Sequence, residues 1–473
     1  GYNKDEVLNM PGVKHVFKTS RNVYGRKREG VAVLAETYWQ ANNARNALRI
    51  NWDTHGLEKV SSASLREDYL AESEKPGDVL FSKGSPEFQP QWQTLEALYE
   101  TPYQAHVPME PMNAIVHIEK DRAAFWGSTQ NPNGIRSFIA DRHGISPANI
   151  EINYTYMGGG FGRRSMTDVV EEAADLSSQA GVPVKVIWTR EDDLTQGPFR
   201  ACSLNLLRGG LDNNGNVQFF SHKVVAQQIR NQTGDNMTAG RQLMGGITTD
   251  YTVPNLIVTG VLQKRHIPIS YWRAVYHSTN PFAHECFVDE MAHAVGKDPL
   301  DFRLNMLDHP RFRRVLEKVR TASDWDTRAN GTGKGVAIAE RSGAYFAMVI
   351  EVRRKGGKTV PAKVVTAVDV GTCINPDTVK AQIEGSVVMG LGAAYYGLTI
   401  QDGGIKETNF HEYPLLRIDQ TPEIETHIIE SFDPPDGAGE AGLPTVAPAL
   451  ANAIFDLTGE RIRKLPLEGK YIG

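Results

Sequence analysis

At 473 residues the chain is too long for one ordinary core, so two to four domains are expected. Apolar residues make up 40% and charged residues 23%, close to the averages for globular domains. A net charge of −5, with acids and bases interspersed, leaves no basic stripe for nucleic acid, and no apolar run nears the roughly 20 residues that span a bilayer. Docking on a membrane-bound partner stays open. The three cysteines, Cys202, Cys286 and Cys373, lie far apart, which excludes CxxC-type zinc sites and iron–sulfur ligand clusters. One disulfide is open by count, but three separate buried thiols is the preferred reading. The chain begins at Gly1 in what already reads as a domain interior, and is expected to be a processed or partial chain.

In chain order, apolar runs at Val13–Phe17 and Gly30–Leu34, a helical pattern over Thr37–Leu48 and a strand ending at Trp52 predict a small α/β unit over 1–53. Residues 54–93, polar and rich in Ser, Glu, Lys and Pro, read as a surface connection. From Thr94 strands alternate with helices. Ile150, Ile152, Tyr154 and Tyr156 alternate with polar residues as in a half-buried strand, a glycine loop follows, and a helix is expected at about Asp168–Ala180. Val182–Trp188 reads as a strand and Asn213-Asn214-Gly215 as a hairpin turn. Residues 220–270 read as irregular. Helices are expected at Ser278–Val295 and Pro299–Leu307, and strands at Tyr345–Val352 and Val364–Val370. Asn375-Pro376 forms a helix start, and Ile383, Val387, Leu391 and Tyr395 make one buried stripe. A last helix carries Val446, Leu450, Ile454 and Leu457 and closes at Gly459. The sum is an α+β (mixed α/β), multidomain chain, divided as 1–53, 54–93, 94–230 and 231–473.

Four segments offer chemistry. Met157-Gly158-Gly159-Gly160-Phe161-Gly162-Arg163-Arg164 lies between strand and helix, where bare amides, the helix N-terminus and two arginines suit an anionic cofactor. It matches neither the dinucleotide fingerprint nor the Walker loop, and the same glycines fit a tight turn without a ligand. Gly437-Ala438-Gly439-Glu440-Ala441-Gly442 presents a carboxylate among glycines just before a helix, reachable by small molecules and favoured in its ionised form. A helix-dipole partner or a solvated loop glutamate is the plainer alternative. Gln382, on the flank of the buried stripe, can donate and accept together. The fourth set is His106–Pro111, Ser128–Pro132 and Tyr271–His277. His284-Glu285 lacks the second histidine of a zincin helix, and no GxSxG elbow exists, which argues against a protein-ligated metal and a serine hydrolase.

Taken in order, His106–Glu110-Pro111, Thr129-Gln130, Gly158–Gly162, Arg273, Gln382-x-Glu384-Gly385 and Gly437-x-Gly439-Glu440-x-Gly442 resemble the xanthine dehydrogenase/aldehyde oxidase family of molybdenum hydroxylases. Residues 1–53 resemble the C-terminal part of that family's hammerhead-like α/β domain, and the remainder its two interleaved molybdenum-cofactor-binding domains. Trp272-Arg273-Ala274 with His277-Ser278 is similar to the isoquinoline 1-oxidoreductase branch, which includes nicotinate-type and membrane-associated aldehyde dehydrogenases. Gly331–Val352 runs on without the Gly-Gln-Gly cofactor segment of xanthine-dehydrogenase-like chains. In this branch that segment sits at the front, which places it upstream of Gly1, on a separate N-terminal portion or chain that completes the cofactor site.

The resemblance implies a molybdenum–molybdopterin cofactor, in some relatives as the cytosine dinucleotide, with the metal held through the pterin. It implies Glu440 as the base that takes a proton from molybdenum-activated water, Gln130 as a hydrogen-bond partner of the metal's oxo ligand, and Arg273 as the stabiliser of charge developing on substrate. Gly158, Gly159, Gly160, Phe161, Gly162, Arg163, Gln382 and Gly439 would contact the cofactor, with Phe161 and Ser165 facing substrate. Ser165 stands where purine-oxidising relatives carry a glutamate, which argues against xanthine and leaves aldehydes and N-heterocycles. Electrons then leave to a small [2Fe–2S] subunit, with a cytochrome c subunit as a further acceptor; no NAD or FAD motif is present. Relatives suggest a periplasmic or membrane-associated location, with the cytoplasm as the alternative. Two other readings remain: a cofactor-binding or scaffold homologue without turnover, and an unrelated anion-binding protein built around Gly158–Arg164.

Overall fold

The computed structural model describes residues 1–85, 87–229 and 239–472, so the expected boundary between 230 and 231 lies outside the described residues. Near the N-terminus, strands Val13–Val23 and Arg26–Ala35 pair antiparallel, and helix Tyr38–Asn46 closes over them, capped by a reciprocal Thr37–Gln40 box. The strand expected to end at Trp52 is only a bridge between Tyr2 and Ile50, and Trp52 itself is exposed.

Segment 54–93 is more than a connection. Ser61 caps a helix at Ser62–Ser73 that buries Leu65 and Tyr69, four apart on an otherwise polar helix. Strand Asp78–Lys83 then forms one edge of a five-stranded sheet, followed across it by Asn255–Leu262, Val217–Ala226, Ser203–Leu211 and Gln93–Thr101. Two of its inner strands lie in the stretch expected to be irregular. Val217–Ala226 is covered on both faces, so its sequence shows little of the alternation that marks a half-solvated strand.

A second sheet orders Ile150–Tyr154, Ala123–Gly127, Asn113–Ile118 and Val184–Ile187, with helix Asp168–Ala180 packed on it at the bounds the sequence predicts. A third runs Thr332–Arg341, Ala344–Lys355, Lys358–Asp369 and Glu423–Ile428. Helix Leu443–Thr458 lies directly on its first strand: a Cβ at Gly335 would come 2.2 Å from the Ala449 carbonyl. Helix Pro376–Tyr395 starts at Asn375, whose side chain accepts from the Thr378 N–H, and its predicted stripe is buried throughout. Helix Asn280–Ala294 is buried along nearly its whole length and joins the first and third sheets into one continuous core. No helix among the described residues is long and apolar enough to cross a membrane.

That core contains groups that would titrate if exposed. His284 stacks between the rings of His222 and Tyr251, and burial pushes its imidazole down to about 3. His106, equally buried, is also pushed down to about 3. The unfolded chain therefore binds protons that the native state refuses below the ordinary histidine value. This contribution is absent above about pH 6.5 and costs stability progressively as pH falls towards 3. Urea unfolding should show a loss of roughly 2 kcal/mol for each such histidine at about pH 5. His284→Phe should flatten part of that slope; an unchanged slope would remove His284 as a source.

Candidate active site

The glycine loop after strand Ile150–Tyr154 is held from both ends. Glu110 Oε2 accepts from the Gly158 N–H at 2.8 Å, and Gln130 Oε1 accepts from the Gly162 N–H at 3.0 Å. Gly160 is needed for closeness, since a Cβ there would stand 2.6 Å from Gln130 Oε1. Gly162 has φ +97° and would drive a Cβ to 2.2 Å from the Tyr271 carbonyl. Gly162→Ala should therefore cost about 1–2 kcal/mol for the left-handed backbone alone, with the carbonyl clash added, read by denaturant unfolding. Unaltered stability would mean that the loop is not held against Tyr271.

The two arginines do not reach for an anion, which corrects the expectation for Arg163. Its guanidinium is buried and donates two parallel hydrogen bonds to Asp168, at 2.8 and 2.9 Å. Arg21 of the N-terminal hairpin stands 3.6 Å from the same carboxylate. Arg164 is equally buried, donating to the Gly159 and Glu110 carbonyls and pairing with the Glu110 carboxylate at 2.9 Å. Burial raises the Glu110 carboxyl, but hydrogen bonds from Asn113 and Gly158 and the Arg164 charge outweigh it and hold it below the usual value. A buried guanidinium left unpaired would be costly, so both side chains turn inward and brace the loop. Ser165 likewise spends its hydroxyl on the Gly162 carbonyl, at 2.6 Å.

Residues 271–275 join this loop to the glutamate. The Arg273 N–H donates to the Phe161 carbonyl at 3.0 Å, and the next N–H, of Ala274, donates to Glu440 Oε1 at 2.9 Å. Phe161, Ala274 and Val275 have φ of 53°, 71° and 54°, values rare for residues with side chains and rarest for a β-branched valine. Such strain concentrates at functional sites because the surroundings must hold it in place. Arg273 donates to the Gly439 carbonyl from Nε and Nη2, at 2.9 and 2.7 Å, and to Gln382 Oε1 at 3.1 Å. Burial pushes its guanidinium down to about 10, opposed by the Glu440 charge, so it stays cationic at neutral pH.

Apart from Arg163 and Ser165, whose side chains turn inward, the residues expected at the site are thus brought to one junction: the Gly158–Gly162 loop with Gln130, the Arg273 strap, and Gln382 with Gly439 and Glu440. Sequence reasoning missed Arg341, the last residue of strand Thr332–Arg341, whose Nη2 stands 2.7 Å from Glu440 Oε2. It also missed Arg311, which holds the loop before Glu440 through Asp436 at 3.1 Å and Asp369 at 2.9 Å. Neither lies in a motif; an arginine at a strand end before Ser342-Gly343 carries no local signal.

Residues 68–307 match the family model for a molybdopterin cofactor-binding domain, and residues 308–422 match a second model of the same description. The chain belongs to the molybdopterin cofactor-binding family. The motif resemblance to xanthine dehydrogenase/aldehyde oxidase-type molybdenum hydroxylases is borne out. The beta subunit of isoquinoline 1-oxidoreductase from Brevundimonas diminuta is 30% identical over 97% of this chain and 61% of its own length. A nicotinate dehydrogenase subunit from Pseudomonas putida is 27% identical over 99% of this chain and 42% of its own. The chain therefore spans less than two thirds of these relatives. Aldehyde oxidoreductase from Desulfovibrio gigas shares the fold with a TM-score of 0.81 at 16% identity, over 100% of this chain and 74% of that one.

The residues present suit a molybdopterin cofactor. Gln382 is exposed, and with its Oε1 held by Arg273 its amide NH2 has no partner among the described residues. A Cβ at Gly439 or Gly385 would meet only Gln382 Oε1 at 4.0 Å or Arg273 Nη1 at 3.7 Å, so a ligand can approach this backbone closely.

Proposed function

We propose that this chain is the cofactor-holding, catalytic part of a molybdenum hydroxylase that oxidises an N-heteroaromatic carbon or an aldehyde with oxygen from water. The observation that carries the reading is the pair of successive N–H groups at Arg273 and Ala274. One holds the Phe161 carbonyl and the next holds the Glu440 carboxylate, so the base stands at the glycine loop. When bound, the cofactor supplies a metal that activates water and accepts two electrons. Gln130 and Gln382, each with its Oε1 held by the protein and an amide NH2 left to donate, are the side chains that would hold it. Glu440, a third exposed and fixed at Oε1 by backbone, takes the proton at its other oxygen. Arg273, cationic and buried behind Gly439, stabilises negative charge that develops on the substrate.

The names of the two relatives, an isoquinoline oxidoreductase and a nicotinate dehydrogenase, support the N-heteroaromatic class, and their designations as subunits support a partner. A [2Fe–2S] subunit as electron acceptor, a cytochrome c beyond it, the cytosine dinucleotide form of the pterin and a periplasmic location belong to the same proposal. The test is elemental analysis of the purified complex together with turnover in heavy-oxygen water. About one molybdenum per complex and labelled product are expected. Metal-free complex, or product without the label, would reject the reading; molybdenum without turnover would leave a scaffold homologue.

A further inference from the structure

Arg341 faces Glu440 in an unusual way. Its Nη2 is 2.7 Å from Glu440 Oε2, yet no aligned hydrogen bond from its guanidinium to any described residue accompanies that charge contact, and its Nε is buried without an acceptor. An arginine whose task was only to hold a carboxylate would present its planar fork to both oxygens, as Arg163 does to Asp168. Apart from that one charge contact Arg341 commits no donor to a described residue, and about a quarter of the side chain is exposed beside a base that is a third exposed. A small molecule that reaches Glu440 therefore reaches Arg341 as well. The neighbouring cation, Arg273, already spends its Nε and Nη2 on Gly439 and Gln382. The nearby His277 is half-buried, and loss of solvent together with the Arg341 charge pushes it down to about 3, so it is neutral and does not compete for an anion.

We infer that Arg341 recognises substrate: it takes a carboxylate carried on an aromatic or heteroaromatic substrate, giving up its resting ion pair with Glu440. The inference rests on the reading of Glu440 as the proton acceptor and names the substrate class of that site. Substrate binding then has two effects. The substrate's carboxylate gains the two-pronged partner that Glu440 does not receive, and Glu440 loses a cation that competes for the proton it must accept.

The test is calorimetric binding of benzoate and of its neutral isostere benzamide to the assembled, cofactor-loaded complex. Benzoate should bind about tenfold more tightly than benzamide, and Arg341→Met should abolish that preference while Arg341→Lys keeps part of it. Glu440→Gln removes the resting partner and should tighten benzoate several-fold, a gain that the Glu440→Gln, Arg341→Met double variant should not show. Equal affinity for the two probes in the unaltered complex, or a preference that survives Arg341→Met, would overturn the assignment. Turnover of a neutral aldehyde by Glu440→Gln reports separately on the base, so the two readings fail independently.

Discussion

Glu440→Gln is expected to lower turnover by about 10²–10⁴-fold while the complex keeps its molybdenum. The amide has the shape of the carboxylate, and its oxygen can still accept from the Ala274 N–H that fixes Glu440 Oε1. The strap through Arg273 to Phe161 and Gly439 stays intact, so positioning should survive. What is lost is the ability to take a proton and the countercharge to Arg341 and Arg273. Steady-state rates normalised to molybdenum content separate chemistry from cofactor loss. Undiminished turnover would show that another group accepts the proton, whereas loss of molybdenum would mean that the carboxylate is structural.

Glu285→Ala should destabilise the fold by about 3–5 kcal/mol, the largest stability effect expected of a single change here. Glu285 and Arg303 are both fully buried, with Arg303 Nε 2.8 Å from Glu285 Oε2. The same carboxylate accepts from the Tyr251 hydroxyl at 2.8 Å and from the Ile338 N–H at 3.1 Å. Alanine would strand a buried guanidinium, a tyrosine hydroxyl and a strand amide together, in the core that joins the first and third sheets. Thermal and urea unfolding would measure the loss. Glu285→Ala combined with Arg303→Met should recover part of it, and failure to recover any would point to packing instead of charge.

Much of the site's framework was readable along the chain. The glycine loop, the helix that follows it at Asp168–Ala180, the Asn375 cap with its buried stripe, and the final helix closed by Gly459 all stand where spacing predicts. The motif order also led to the family. Less readable were the strand Val217–Ala226, covered on both faces, and the helix Ser62–Ser73, whose two buried apolar residues gave too narrow a stripe. Arg163 and Arg164 looked like ligands for an anion because nothing local in the sequence marks Asp168, which is buried, or Glu110, which is half-buried, as the acids that pair with them.

The elements and their ends follow from contacts within a turn or two of helix or a pair of strand residues, so the pattern of neighbours along the chain was enough to assign them. The meeting of Arg341 with Glu440, the Arg273 strap from Phe161 to Gly439, and the inward turn of Arg163 depend on segments far apart in the chain. Their distances are set by how the three sheets and the helices between them pack, and by the cost of burying any charge left without a partner. No local pattern encodes that choice, so packing alone decided which charges meet at the site.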